Sequence, residues 1–262
     1  MEERKVTVEP DGHVLMIGLN RPTKYNAFDL DMYRELALAY GELDTNPDLR
    51  CGVLFANGDN FTAGLDLAQW AASFSQGRFP DLPEGAIDPL GIDEATRVSK
   101  PLVMAAHGIC FTIGLELLLA TDIRVAATGT RFSQLEIKRG IYPVGGGTVR
   151  LIQEVGWGNA MRYLLTADEI SAEEAFRMGL VQEVTEPGQQ LDRALDIAKT
   201  ISKQAPLGVA ATLASARLAR TKGEEVALAR LLPDLIPIMS SEDVQEGIQS
   251  FVERREAKFK GR

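Results

Sequence analysis

Short apolar runs alternate with helical patterns from Val14 to about residue 188, and beyond Pro187 the strand signal stops. Val14-Leu15-Met16-Ile17 precedes a helix expected from about Asp29 to Leu43, which in turn precedes Gly52-Val53-Leu54-Phe55-Ala56. This alternation requires an α/β fold, because each apolar strand needs a helix to cover it. Asp29 suits an N-cap, and Leu30, Tyr33, Leu36, Ala37 and Tyr40 recur on one helical face. Residues 102–106 and 123–127 read as further strands. Ser171 with Glu174 forms a capping box for a helix ending at Gly179, and residues 180–184 read as one more strand. From about Gln189 to Lys260 the pattern is consecutive amphipathic helices broken near Pro206, Gly223, Pro233 and Pro237. Residues 1–188 are therefore expected to form the core and 189–262 a helical appendage. Residues 77–91, rich in glycine and proline, read as a long irregular connection between helical pieces, of the kind that covers sites.

Two glutamates lie where their neighbours ordinarily exclude charge. Glu116 sits within Gly114-Leu115-Glu116-Leu117-Leu118-Leu119-Ala120, where no second polar position shares its helical face. Glu136 follows Phe132-Ser133-Gln134-Leu135 on a strand-like piece running toward Gly145, Gly146 and Gly147. Paired buried carboxylates with shifted pKa values suit proton transfer at a carbon centre. Phe61-Thr62-Ala63-Gly64-Leu65-Asp66-Leu67 reads as a helix start with room for a ligand against the main chain, and Thr112-Ile113-Gly114 reads as a second. Two converging starts can each offer an N–H to a carbonyl oxygen that becomes an oxyanion, worth about 3 kcal/mol per donor.

Other chemistries find less support. The glycine cluster at 145–147 has neither G-x-G-x-x-G spacing nor a Walker lysine, so it reads as close helix packing behind the site. His13 and His107 stand without partners at metal-ligand spacing, so no metal is expected, and His107 reads as structural. No G-x-S-x-G elbow is present. A formal net charge of -9 argues against nucleic acid or an anionic membrane as partner. Cys51 and Cys110 each stand among apolar residues, which points to packing in a reducing compartment. The segment Met1-Glu2-Glu3-Arg4-Lys5 leads straight into strand-like residues with no apolar signal core, and no run is long enough to span a bilayer, so a cytoplasmic location is expected.

Phe61 through Asp66, His107-Gly108 through Gly114-Leu115-Glu116-Leu117, and Phe132 through Glu136 occur in a telling order. Pro143 with Gly145-Gly146-Gly147-Thr148 follows, then Ser171 through Ala175 before Gly179-Leu180-Val181. In order, spacing and length this set resembles the crotonase, or enoyl-CoA hydratase/isomerase, superfamily, from about residue 5 to Phe251-Val252-Glu253-Arg254-Arg255. The resemblance implies a crotonase-type spiral of ββα units, a C-terminal helical region used in trimerisation, and commonly a hexamer built as a dimer of trimers. It implies an acyl-CoA thioester as substrate, with no cofactor beyond the coenzyme A carried on it. By motif position it implies the backbone N–H groups of Leu65 and Ile113 as oxyanion donors and Glu116 and Glu136 as the catalytic pair. Ala27, Ala63, Asp66, Phe251 and Arg254 fall near coenzyme A, the last two across a subunit boundary.

Hydratases of the superfamily carry glutamate at both acidic positions, isomerases typically keep only the second, and dienoyl isomerases add an aspartate where this chain has Val144. Hydration of a trans-2-enoyl-CoA is therefore the expected activity. The alternatives are double-bond isomerisation or another reaction of the superfamily, and a non-catalytic binding homologue. One departure from the pattern is Thr112-Ile113, where the family usually has glycines. A β-branched residue tolerates φ > 0 poorly, so Ile113 must keep a helical φ and turn its side chain from the thioester. Trp70, Phe74 and Phe79 are candidate acyl-lining residues beside the long connection.

Overall fold

The computed structural model describes residues 4–93 and 96–262, so the first three residues of the N-terminal segment read above lie outside the described residues. In chain order come β1 (Val6–Asp11), β2 (Val14–Leu19), α1 (Leu30–Thr45), β3 (Cys51–Ala56), α2 (Leu67–Ser75), β4 (Leu102–Ala106), β5 (Ile109–Phe111) and α3 (Ile113–Ala120). Next are β6 (Ile123–Ala127), β7 (Arg131–Ser133), a 3-10 turn (Glu136–Arg139), α4 (Gly147–Val155), α5 (Trp157–Thr166), β8 (Ile170–Ser171), α6 (Ala172–Arg177) and β9 (Glu183–Thr185). Four helices close the chain: α7 (Gln190–Ser202), α8 (Pro206–Lys222), α9 (Glu224–Met239) and α10 (Glu242–Glu253).

The larger sheet has the order β1-β2-β3-β4-β6-β9, antiparallel at β1/β2 and parallel thereafter. The parallel strands carry no polar alternation because both faces are covered. On one face, Leu15, Ile17, Leu54, Met104 and Ala126 join the main core with Tyr33, Leu36 and Tyr40 of α1. On the other, Val14, Val53, Val103 and Val125 meet Ala194 and Ala198 of α7. The small residues of α7 allow its backbone to sit close on the sheet. The expected boundary after residue 188 thus falls just before a helix that closes the core, and the helices beyond Pro206 stand outside it.

A second, three-stranded sheet, β5-β7-β8, forms the inner layer of the spiral. Cys110 pairs with Phe132 across β5 and β7, and Thr62 forms an isolated parallel bridge to Cys110. Thr62, Cys110 and Phe132 therefore lie side by side on three successive turns of the chain. Each turn passes from this rung directly into a functional segment: Leu65 after Thr62, Ile113 and Glu116 after Cys110, Glu136 after Phe132. Free Cys51 and Cys110 are both buried. Among the described residues, no helix is long and apolar enough to cross a membrane.

Several local expectations hold in detail. The Asp29 side chain accepts a hydrogen bond from Met32 N–H at 2.9 Å and starts α1 one residue later. The Ser171 hydroxyl accepts from Glu174 N–H at 3.2 Å, but the reciprocal half of the capping box is absent, because the Glu174 carboxylate is taken by Arg177. Other elements differ. Glu136 begins a 3-10 turn rather than lying on a strand, since β7 ends at Ser133. The strand expected at 180–184 is β9 at Glu183–Thr185, where the chain enters the ladder with β6. Pro233 and Pro237 lie inside α9 and do not break it. Spaced by four residues, they place both missing N–H groups on one helical face.

Residues 77–91 run from α2 toward β4 rather than into another helix, and they pack. Phe79, Leu82 and Ile87 lie against the main core, and Ile87 N–H bonds Ala37 O of α1 at 2.9 Å. Gly41, in the middle of α1, makes this approach possible, because a Cβ there would run into Gly85 O. In an exposed helix Gly→Ala gains about 1 kcal/mol. Here the sign should reverse, and Gly41→Ala should lose about 1 to 3 kcal/mol in denaturant unfolding by forcing the connection off the helix; a stabilised variant would disprove this packing.

Candidate active site

Glu116 is 5% exposed, in the first turn of an entirely buried helix, α3. Its Oε1 accepts N–H bonds from Gly145 at 2.6 Å and Gly147 at 3.1 Å. The glycine cluster is thus a cradle for the carboxylate, and not only the helix-packing device that its sequence suggested. A Cβ on Gly145 would strike the Glu116 carboxyl, and one on Gly147 would sit 2.7 Å from the Gln134 amide and 3.2 Å from Glu116 Oε1. Burial pushes the Glu116 carboxyl up to about 8, the nearby Glu136 pushes in the same direction, and the two amides and Arg150 oppose.

Glu136 is half-buried at the start of the 3-10 turn, and desolvation raises its carboxyl to about 7. Buried Gln134 faces it, and the amide orientation that satisfies both groups donates to Oε1 and Oε2 at 2.9 Å each. Both carboxyls open on one cavity of about 240 Å³, whose walls include Ala63, Leu65, Thr112 and Leu135. Beyond Phe74, Ile141, Tyr142 and Val144, which border both spaces, lies a second chamber of about 460 Å³ reaching Phe79. Phe74 and Phe79 are thus cavity-lining. Trp70 is not, being fully buried with its Nε1–H donated to Phe28 O at 2.9 Å.

The two expected oxyanion donors arrive by different routes. Leu65 is no helix-start residue: it pairs as an isolated parallel bridge with Phe28, through Phe28 N–H to Gly64 O and Asp66 N–H to Phe28 O, both at 2.8 Å. Alternation along an extended chain turns the Leu65 N–H to the opposite side from Asp66 N–H, away from Phe28. The Thr62 hydroxyl steadies the segment, donating to Asn26 O at 2.6 Å and accepting from Gly64 N–H at 3.1 Å. Ile113 is the first residue of α3, so its N–H has no acceptor within the helix. Its side chain is 2% exposed and belongs to the main core, turned from the cavity as the departure from glycine requires.

The strain expected of a β-branched residue here appears one position earlier. Thr112 has φ +51° and ψ −112°, and its buried hydroxyl has no hydrogen-bond partner. Its Oγ1 stands where a Cβ on Gly64 would be, so the two segments close on each other only with glycine at 64.

The remaining expected residues divide. Ala63 lines the cavity. Ala27 and Asp66 lie beside it, joined by Arg21, whose Nη1 donates to Ala27 O at 2.8 Å and stands 3.9 Å from the Asp66 carboxylate. Phe251 and Arg254, at the end of α10, are not among the cavity walls. His107 Nε2 bonds Gly58 O at 2.8 Å, a structural contact. Among the described residues no cluster of three His, Cys, Asp or Glu is arranged to hold a metal. Sequence reasoning gave no separate role to Gln134, Arg139 or Tyr142, although Gln134, two residues before an acid in an apolar run, carried a readable signal.

A family model described as enoyl-CoA hydratase/isomerase matches residues 9–262. Enoyl-CoA hydratase EchA19 of Mycobacterium tuberculosis is 37% identical over 258 residues, covering 97% of this chain and 96% of the relative. The short-chain-enoyl-CoA hydratase of Clostridium acetobutylicum is 31% identical over 265 residues, covering 100% of both. A Mycobacterium abscessus crystal structure, described as a probable enoyl-CoA hydratase/isomerase, superposes with a TM-score of 0.95 at 50% identity, over 98% of this chain and 99% of that one.

Thr112→Gly should relieve about 1 to 3 kcal/mol of backbone strain against about 0.5 to 1 kcal/mol of added chain entropy. Its melting temperature is expected to rise by a few degrees at matched protein concentration. A drop would mean that the threonine conformation is not strained.

Proposed function

This chain belongs to the enoyl-CoA hydratase/isomerase family, and from that premise we propose that it hydrates a trans-2-enoyl-CoA to the 3-hydroxyacyl-CoA. The observation that carries the reading is the meeting of Glu116 and Glu136 on one largely apolar cavity, each with its pKa raised toward neutrality. Two such groups share one proton near neutral pH. That is the state in which one member is a base and the other an acid.

The thioester carbonyl oxygen takes the N–H groups of Leu65 and Ile113, which draws electron density from C3 of the enoyl group. Glu116, as carboxylate, removes a proton from water while the water oxygen bonds to C3. The C2=C3 electron pair moves to C2 as an enolate, its charge resting on the carbonyl oxygen. Glu136 then gives its proton to C2, and the shared proton is restored by transfer from Glu116. Water is consumed, no electrons leave the substrate, and no cofactor beyond the coenzyme A of the substrate is required. Val144 stands in the cavity wall where a dienoyl isomerase would need an acid, which favours hydration over that reaction.

The same reading makes the assembly a trimer or a dimer of trimers. Leu232, Ile236, Phe251 and Val252 are exposed on α9 and α10, and Leu228, Leu231 and Leu235 line a groove of about 440 Å³ between α8 and α9. A lone chain rarely leaves so much apolar surface in water. Phe251 is 85% exposed at the end of α10 and Arg254 caps that helix, which suits contact with coenzyme A held by a neighbouring subunit.

Loss of the conjugated thioester absorbance of crotonyl-CoA tests the activity. Glu116→Gln and Glu136→Gln should each lower kcat by about 10²- to 10⁴-fold while still binding the thioester. The wild-type kcat/KM should follow a bell, falling on the acid side as both carboxyls protonate and on the alkaline side as both ionise. Full activity in both variants would end the proposal. Light scattering should return a mass of three or more subunits, and a single-subunit mass would refute the assembly.

A further inference from the structure

Arg150 lies on α4 directly behind the glycines that hold Glu116, and nothing in the mechanism above uses it. Its guanidinium ties down two main-chain carbonyls, with Nη1 donating to Leu90 O and Nη2 to Gly91 O, both at 2.5 Å. Leu90 is 1% exposed and packs on Gly145, so close that a Cβ added to Gly145 would lie 3.0 Å from Leu90 Cδ1. At its other end the same segment is held by Asp88. That carboxylate accepts from Tyr33 O–H at 2.6 Å and from the N–H groups of Leu90 and Ile92 at 3.0 Å each. Arg150 also touches the cradle itself. A Cβ on Gly146 would lie 3.3 Å from its Nη1, and Gly146 O accepts Arg150 N–H at 2.9 Å.

Resting on the hydratase reading, we propose that Arg150 is a positioning residue. It presses Leu90 against Gly145 to fix the amides that hold Glu116, and its charge biases the shared proton away from Glu116 toward Glu136. Burial alone favours the protonated form of Glu116, the wrong state for a base. The two amide donors and a cation behind them are what oppose burial, and the cation's hydrogen bonds go to neutral carbonyls rather than to a carboxylate. The charged and titratable groups facing the pair are few. Glu116 is faced by Glu136 from the 3-10 turn, Tyr33 from α1 and Arg150 from α4. Arg150 is itself faced by Asp88, Glu116 and Arg97, and by Arg217 and Arg220 from α8, while Arg139 borders the cavity that the two glutamates share. Arg217 is paired with Asp122 and Arg220 with Glu154, so Arg150 supplies the positive charge that acts on Glu116.

The test separates charge from packing. Arg150→Met keeps an apolar stem and removes the charge, so the acid limb of the kcat/KM profile should move up by about one pH unit, with kcat at neutral pH lowered roughly tenfold. Arg150→Lys restores the charge without the two-pronged contact. Its acid limb should return close to wild type while kcat stays low. The ligand-free proteins give a readout that needs no turnover: the protonated-carboxyl infrared band of Glu116, identified by its loss in Glu116→Gln, should titrate at higher pH in Arg150→Met than in wild type. If both variants lose activity only in step with thermal stability, with the acid limb and carboxyl titration unmoved, Arg150 is merely structural and the inference is overturned. If wild type fails to hydrate crotonyl-CoA, the hydratase reading falls, and the infrared titration still decides the role of Arg150.

Discussion

The organising constraint of this molecule is one carboxylate kept out of water. Glu116 sits on a helix whose every residue is buried, and an unpaired charge in such a place costs several kcal/mol or is neutralised by a proton. The fold answers with main-chain donors rather than a counter-ion. Gly145 and Gly147 point N–H groups at Oε1 from the start of α4, and only glycine leaves room for them to do so. Because amides are neutral, they hold the carboxylate without abolishing its basicity, whereas a directly bound arginine would push its pKa far below neutrality. A proton acceptor that works near neutral pH needs this intermediate degree of stabilisation.

The rest of the architecture delivers partners to that carboxylate. Stacking Thr62, Cys110 and Phe132 on one rung brings Leu65, Ile113 and Glu136 together from segments that are remote in sequence. Parallel strands joined by helices let each turn of the spiral bring its expected site residues to the same level. Rigid elements also carry the chemistry: Glu116 is helical, Ile113 opens that helix, and Leu65 is locked to Phe28. The wall shared with the second chamber is formed by Phe74, Ile141, Tyr142 and Val144.

What could be read in the sequence, and what could not, follows from the range of the interactions involved. The Asp29 cap, α1, the parallel strands and the helical C-terminus depend on contacts within a few residues or on apolar periodicity, so they were legible. Glu116 was legible too, because a charge in a wholly apolar helix contradicts its own neighbourhood. The cradle was not, since nothing in Gly145-Gly146-Gly147 says that its amides face a side chain 29 residues earlier. Likewise the extent of β9 is set by the edge of β6, and the continuity of α9 through Pro233 and Pro237 overrides a local rule that prolines end helices. The resemblance to the crotonase superfamily supplied the long-range pairing that periodicity lacks. It named Leu65 and Ile113; the helix start that holds Ile113 was legible in the chain itself, whereas the bridge to Phe28 that holds Leu65 was not.

Thr112 shows where local rules and function part company. A threonine at positive φ with an orphaned hydroxyl is a poor choice for stability on two separate counts. The conformation is imposed from outside, because Thr112 N–H is anchored to Ser133 O at 2.8 Å while Glu116 N–H bonds Thr112 O at 3.1 Å. Between those two anchors the chain must turn from the inner sheet into α3 within one residue. Glycine would make that turn without strain, whereas the threonine keeps its Oγ1 packed against Gly64. Thr112 also borders the cavity beside Ala63 and Glu116, while its hydroxyl is buried against Gly64 without a partner. The cost falls between two hydrogen-bonded elements, which hold the residue in that conformation from either side.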